Sequence, residues 1–319
     1  MTSDTAGPLA SIVVPTLNRH RALARALASA MAQEGLAAGD YEIVVVDNSP
    51  DANARALVAP LAAHGPVAVR YVSRTQPGVA TARNAGIAAA RGRFVAFLDD
   101  DEEASPVWLA SLLGTAERTG ADAVFGPVAA RAEDGREIGA LGAFFARRVA
   151  AATDADVTRL HPFLGTNNSL FSRARCLAGA APFDERLDRT GGEDSLLLAR
   201  LVRGGARFAW CDEARVTEWV PPTRTTWTYV RRRTFLSGQV RTFVHAMSDP
   251  PRHGAVALWM GIGAAQFALC GAASLLLRPL DATRAAALAA RARGGLGKLL
   301  WTERFRAGLY ATGFVSHAR

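Results

Sequence analysis

Short apolar runs alternate with longer amphipathic stretches over the first 126 residues. Residues 11–15 (SIVVP) form a β-branched run closed by proline and read as a strand. Residues 18–33, rich in Ala and Leu, read as a helix, and Tyr41–Asp47 (YEIVVVD) as a second, fully buried strand. Residues 51–63 are helical in pattern and residues 67–72 extended. Residues 77–91 predict a helix that starts with Pro77, where the missing N–H costs nothing. Residues 93–98 (RFVAFL) give a fourth strand that runs straight into Asp99, Asp100 and Asp101. A helix opens at Ser105-Pro106 and reaches about Arg118, and residues 122–126 give a fifth strand. This β-α-β-α-β-α-β order predicts a doubly wound α/β fold with a parallel sheet. Such sheets gather ligands at the carboxyl ends of their strands, where Thr16, Asp47 and the Asp99-Asp100-Asp101 run all sit.

The pattern then changes. Residues 127–172 show no sustained period, residues 192–204 read as a helix, and residues 207–210 as a strand. Residues 223–247 predict a long helix rich in arginine and aromatics, which Pro250-Pro251 breaks. Residues 255–277 run 23 positions without a charge, long enough to cross a bilayer, although abundant Ala and Gly and the polar Gln266 make insertion marginal. Residues 296–315 mix Lys and Arg with Trp, Leu, Phe and Tyr, as interfacial helices do. A membrane-seated C-terminus is expected, the alternative being a helical hairpin packed on the domain.

Composition refines this division. The 319 residues suffice for one large α/β domain and an appendage, and half of them are hydrophobic. Residues 1–221 carry 23 arginines against 26 acids, whereas residues 222–319 carry 14 basic residues against 3 acids. The overall charge of +8 therefore belongs to the C-terminal third. That third suits anionic lipid headgroups, phosphates or nucleic acid, or is simply a solvated basic face. No nucleic-acid-binding motif accompanies it, so no nucleic-acid partner is expected. Three scattered cysteines without CxxC spacing give no disulfide framework. No basic stretch followed by an apolar one opens the chain, so no signal peptide is read and the globular part is expected in the cytoplasm.

Two acidic segments carry the candidate chemistry. Five acids, Asp99 to Glu103, follow an apolar strand and repel one another. They suit either a solvated turn or a hard divalent ion such as Mg²⁺ or Mn²⁺, which takes one or two carboxylates and completes its shell with phosphate oxygens and water. Gly191-Gly192-Glu193-Asp194 reads either as a helix start with acids at the positive end of the dipole or as a general base for a hydroxyl. The six histidines show no metal-ligand spacing, and no GxSxG elbow, P-loop or GxGxxG is present.

Taken together, SIVVPTLNR (11–19), IVVVDNSPD (43–51), GVATARNAGIAAARG (78–92), FVAFLDDD with Trp108-Leu109, GTNNSLFSR (165–173) and FDERLDRTGGED (183–194) resemble the family 2 glycosyltransferases, most of all bacterial enzymes that build surface polysaccharides. The resemblance covers about residues 9–240. It implies a GT-A fold, a Rossmann-like, mostly parallel sheet flanked by helices, with a nucleotide half over about 9–126 and an acceptor half over about 127–240. A basic and apolar helical extension, residues 241–319, would follow. It also implies inverting transfer from a nucleotide-diphosphate sugar to a saccharide or lipid-linked acceptor, at the cytoplasmic face of the membrane.

Residue by residue, Pro15 and Thr16 would line the nucleotide pocket, Asp47 would bind the base, and Arg83 would sit beside the diphosphate. Asp99 and Asp100 would face the donor ribose and sugar. Asp101, with Asp99, would hold the metal. Asp194 would be the catalytic base, with Glu193 on the acceptor side. Arg233 fits an RxxxxG pattern and would touch the diphosphate. Two departures stand out: Glu218 occupies the position where many relatives place a metal-binding histidine, leaving Glu218 or water as the third ligand, and the QxxRW signature of processive members is missing. A single-addition enzyme is expected.

Overall fold

A computed structural model describes residues 7–188 and 190–305. The strands are β1 (Ala10–Thr16), β2 (Tyr41–Asp47), β3 (Ala68–Ser73), β4 (Phe94–Phe97), β5 (Glu102–Ala104), β6 (Ala123–Phe125), β7 (Val128–Ala132), β8 (Ser169–Ser172), β9 (Phe208–Trp210) and β10 (Val216–Val220). The helices are α1 (His20–Met31), α2 (Arg55–His64), α3 (Val79–Ala89), α4 (Trp108–Thr119), α5 (Arg173–Cys176), α6 (Glu193–Arg203), α7 (Trp227–Ala246), α8 (His253–Leu277) and α9 (Ala282–Leu299).

The main sheet has the order β3-β2-β1-β4-β8-β6-β9. Its first four strands are mutually parallel, as expected, and β6 pairs parallel with β9. The apolar runs are continuous because both sheet faces are covered: Ile12, Val14, Ile43 and Val45 pack with Leu23, Leu27 and Trp108 on one side. Val13, Val44, Val46 and Phe97 pack with Ala82, Ile87 and Phe171 on the other. All the strand residues named here are fully buried.

Two features correct the sequence reading. The stretch 127–172, which shows no period in the sequence, contains β8, which sits in mid-sheet between β4 and β6 and is antiparallel to both, giving the mostly parallel sheet that the resemblance implied. A second, three-stranded sheet, β5-β10-β7, was not foreseen because each strand is only three to five residues long. It joins the residues after the acidic run to Glu218, which pairs with Glu102 across the ladder.

The expected long helix is α7, capped by the Thr226 side chain, which accepts the Tyr229 N–H. It runs unbroken past residue 240, so the boundary drawn there falls inside it. The expected interfacial helix over 296–315 begins as the end of α9, which stops at Leu299; residues 306–315 lie outside the described residues.

Candidate active site

The carboxyl ends of β1 and β4 open into a cleft of about 690 Å³. Pro15, Thr16, Arg83, Asp99, Asp100, Asp101, Glu193, Asp194, Glu218 and Arg233 all line it, so residues far apart in sequence converge as expected.

The acidic run is held by hydrogen bonds from two loops. Thr16 Oγ1 donates to Asp100 Oδ2 at 2.7 Å. Arg19 Nη1 reaches Asp100 Oδ1 and Asp101 Oδ2, both at 2.9 Å, and Arg224 Nη1 lies 3.1 Å from the same Asp101 oxygen. Burial alone would raise the Asp101 carboxyl, but Arg19 and then Arg224 outweigh it and hold Asp101 below its ordinary value. Asp99 and Asp100 are instead raised by burial, which Arg83 and Arg19 respectively offset only in part. Glu102 is pushed well up by burial and by Asp99; its Oε2 accepts the Asp99 N–H and its Oε1 accepts from Asn167. Glu218 is pushed up to about 7, by burial and by Asp101 against the pull of Arg233, whose Nη1 lies 3.8 Å away. The cleft thus holds more buried carboxylate than its arginines neutralise. Among the described residues no group of three or more His, Cys, Asp or Glu side chains is placed to hold a metal ion by itself. An all-oxygen set with surplus negative charge and an open side fits a Mg²⁺ or Mn²⁺ ion that shares its shell with a phosphate.

Across the cleft, Gly191 and Gly192 take positive φ angles of 72° and 97°, and α6 starts immediately after them. This turn delivers Glu193 and Asp194 together. Arg83 Nη1 binds Glu193 Oε1 at 2.6 Å while Nη2 lies 3.4 Å from Asp99, so one guanidinium links the two acidic segments. Burial and then Asp194 push the Glu193 carboxyl up to about 7 despite that partner. Asp194 accepts the Ser195 N–H at 2.6 Å.

Asp47 departs from its expected place. It is fully buried and is not among the cleft-lining residues. Oδ1 accepts from Ser49 N and Oγ, and Oδ2 from Ala54 N and Tyr71 Oη. Four donors fill a carboxylate's acceptor capacity, so Asp47 braces the loop after β2 instead of presenting itself to a ligand. Burial opposes its charge, but the Ser49 and Tyr71 hydrogen bonds outweigh this and hold it below its ordinary value, while Tyr71 is pushed up to about 12 by burial and by Asp47.

Several residues that brace the cleft or its loops escape the sequence reading. Arg19 ends the SIVVPTLNR segment, and Arg224 sits in a loop with no local signal. Asp188 accepts the Ala80 and Thr81 N–H groups and the Thr81 hydroxyl, fixing the start of α3. Arg147, from the irregular stretch, donates to the carbonyls of Gly126, Gly165, Asn167 and Asn168, and burial pulls it down to about 10. Asn168 explains the GTNN segment structurally: it accepts from Trp108 Nε1 and donates to the carbonyls of Pro127 and Ala214.

Comparison with known proteins places the chain in a family. The chain is 31% identical to the succinoglycan biosynthesis protein ExoM of Rhizobium meliloti over 267 residues, 83% of this chain and 84% of that one. It is 33% identical to ExoO of the same organism over 209 residues, 63% of this chain and 58% of that one. Among solved structures it resembles a mannosyltransferase from Pyrobaculum calidifontis bound to GDP-mannose and Mn²⁺ (TM-score 0.58, 21% identity, 94% of this chain and 89% of that one). It also resembles TarS 1–349 of S. aureus bound to UDP (TM-score 0.53, 18% identity, 91% and 90%). These likenesses identify the GT-A fold. Residues 11–176 match the family described as glycosyl transferase family 2, and the chain belongs to that family and is a glycosyltransferase.

Proposed function

We propose that this enzyme transfers a single sugar, with inversion, from a nucleotide-diphosphate sugar to a hydroxyl of a saccharide or lipid-linked acceptor. The setting is polysaccharide biosynthesis at the cytoplasmic face of the membrane. The observation that carries the reading is the convergence of Asp194 with Asp99, Asp100 and Asp101 in one cleft, with Arg83 between them. The relatives' part in succinoglycan biosynthesis and the GDP-mannose, Mn²⁺ and UDP bound by the structural neighbours support it.

Asp194 takes the proton from the acceptor hydroxyl as its oxygen bonds to the anomeric carbon. The bond from that carbon to the phosphate oxygen breaks, and a nucleoside diphosphate leaves. One displacement inverts the centre, and no enzyme nucleophile is needed. Pro15 and Thr16 border the nucleotide, Asp99 and Asp100 face the ribose and sugar, and Arg83 and Arg233 lie toward the diphosphate. Glu193 holds Arg83 in place from the acceptor side. Asp101 with Asp99, and Glu218 or water, would hold a divalent cation, which would supply charge neutralisation for the leaving diphosphate.

The test is a screen of UDP-, GDP- and dTDP-sugars, with Mn²⁺ or Mg²⁺, for release of free nucleoside diphosphate. Release from one donor that disappears with EDTA and in Asp101→Asn supports the reading. Release of pyrophosphate instead would make the enzyme a nucleotidyltransferase, and release unaffected by EDTA would remove the metal from it.

A further inference from the structure

α8 leaves its apolar side bare. Every exposed position between residues 257 and 276 is Ala, Gly, Leu, Ile or Phe. Leu258, Ile262, Leu269 and Leu276 recur at spacings of four and seven and so share one face, with Leu269 and Leu276 exposed by 71% and 75%. The other face packs antiparallel on α9. Gln266 Nε2 donates to the Arg291 carbonyl at 2.8 Å, Lys298 Nζ to Gln266 Oε1 at 2.7 Å, and Ser274 Oγ to the Ala285 carbonyl at 2.8 Å.

α9 is in turn bonded to α7. Thr234 Oγ1 reaches the Ala290 carbonyl at 2.8 Å, Thr242 Oγ1 the Lys298 carbonyl at 2.9 Å, and Gln239 Nε2 the Leu300 carbonyl at 2.5 Å. The backbones touch at Gly238, where a Cβ would come within 2.1 Å of the Gly294 oxygen. α7 supplies Arg233, Ser237, Val240 and Arg241 to the cleft.

With 25 residues, α8 is about 37 Å long, enough to cross a bilayer's hydrocarbon core of about 30 Å. Its partner forbids the crossing. The Gln266 bond sets Arg291 level with the middle of α8, and both Arg291 and Arg293 are exposed. A crossing α8 would carry these guanidinium groups to mid-bilayer, beyond snorkelling reach of either surface, or would strip α9 from α7. The charges favour a different placement. Arg252, Arg278, Arg284, Arg291 and Arg293 are all exposed along or beside α8 and α9, and Asp281 is the sole acid between residues 253 and 299. Anionic headgroups complement such a rim, whereas a symmetric second copy would set it against itself.

We propose that α8 is a monotopic docking helix. It lies in the plane of an anionic bilayer surface with Leu258, Leu269 and Leu276 in the acyl boundary and the arginines on headgroup phosphates, and it does not cross. This deepens the membrane placement proposed above and, through α9 and α7, holds the cleft at a fixed height over the lipid.

The experiment is flotation of the full chain with vesicles of phosphatidylcholine and phosphatidylglycerol, compared with phosphatidylcholine alone, followed by alkaline carbonate extraction. The expected results are preferential flotation with the anionic vesicles, release by carbonate without detergent, and a C-terminal tag on the same side as the catalytic domain in sealed everted vesicles. Leu269→Glu/Leu276→Glu should cut the vesicle-bound fraction by about tenfold or more, with melting temperature and donor hydrolysis retained. Carbonate resistance with the tag on the far side would overturn the proposal in favour of a crossing. No flotation, whether the protein runs as a monomer or as a dimer broken by Leu269→Glu, would overturn it too. Extraction and tag position use the unmutated protein, so they decide even if the variant misfolds. Intact donor hydrolysis with no flotation would leave the transferase reading standing.

Discussion

In the main sheet, Ile12, Val13, Val14 and Ile43 to Val46 are buried from both sides, whereas Gly263 is the one buried residue among the twenty-five of α8. The sheet side chains interlock with α1, α3 and α4 and leave nothing for a partner to cover. The C-terminal helices instead meet through glycine backbones and through side chains bonded to carbonyls, with their large apolar groups facing outward. Small residues at close-packed helix contacts and bulky ones outside are what a helix pair in contact with lipid shows. One region is closed on itself; the other leaves an apolar face uncovered, yet α7 ties the two together at the cleft.

The comparison can be strained at the cleft and at the helices in turn. Arg83→Ala has the largest expected effect. It leaves Glu193 buried and unpaired, which should cost about 3–5 kcal/mol of stability by denaturant titration and abolish donor hydrolysis. Asp101→Asn should keep the fold, because Asn still accepts from Arg19 and Arg224, but should lower turnover roughly a hundred- to a thousand-fold, with Mn²⁺ dependence weakened. Gly238→Val drives a side chain into the Gly294 carbonyl and should cost about 1–3 kcal/mol. Hydrogen exchange should then rise in α8 and α9 while the sheet amides stay protected. Equal loss of protection in the sheet would show the two regions to be one cooperative unit and break the comparison.

The smallest effect concerns pH. Glu193 and Glu218 both sit near 7 in the folded protein, above the ordinary glutamate value of 4.5, so the native state binds more protons than the unfolded one between those limits. Their contribution is complete below about 4.5 and is lost as pH rises through 7. The metal-free protein should therefore melt a few degrees lower at pH 8 than at pH 6, and Glu193→Gln should flatten that slope. An unchanged slope would remove Glu193 from the explanation.

The sequence made the nucleotide half readable because two-sided burial writes continuous apolar runs and topology fixes which strand ends meet. Thr16 and the acidic run could be placed on that ground, whereas the place of the Glu193-Asp194 pair rested on the family resemblance. β8 was hidden because a four-residue strand inside an irregular stretch leaves no period to detect, and β5, β7 and β10 for the same reason. Arg147 and Arg224 act through loops that only the folded chain brings to the cleft. Asp47 stands at the expected strand end but outside the cleft, because its four donors come from residues whose geometry no strand pattern encodes.

The most direct measurement compares Asp194→Asn with the unmutated enzyme, once the donor screen has named the nucleotide, reading nucleoside-diphosphate binding by calorimetry alongside sugar transfer. With Asp194 as base, binding is unchanged while transfer falls by about a hundred- to ten-thousand-fold. Transfer at the unmutated rate would contradict the assignment of this cleft as the site where the acceptor is deprotonated.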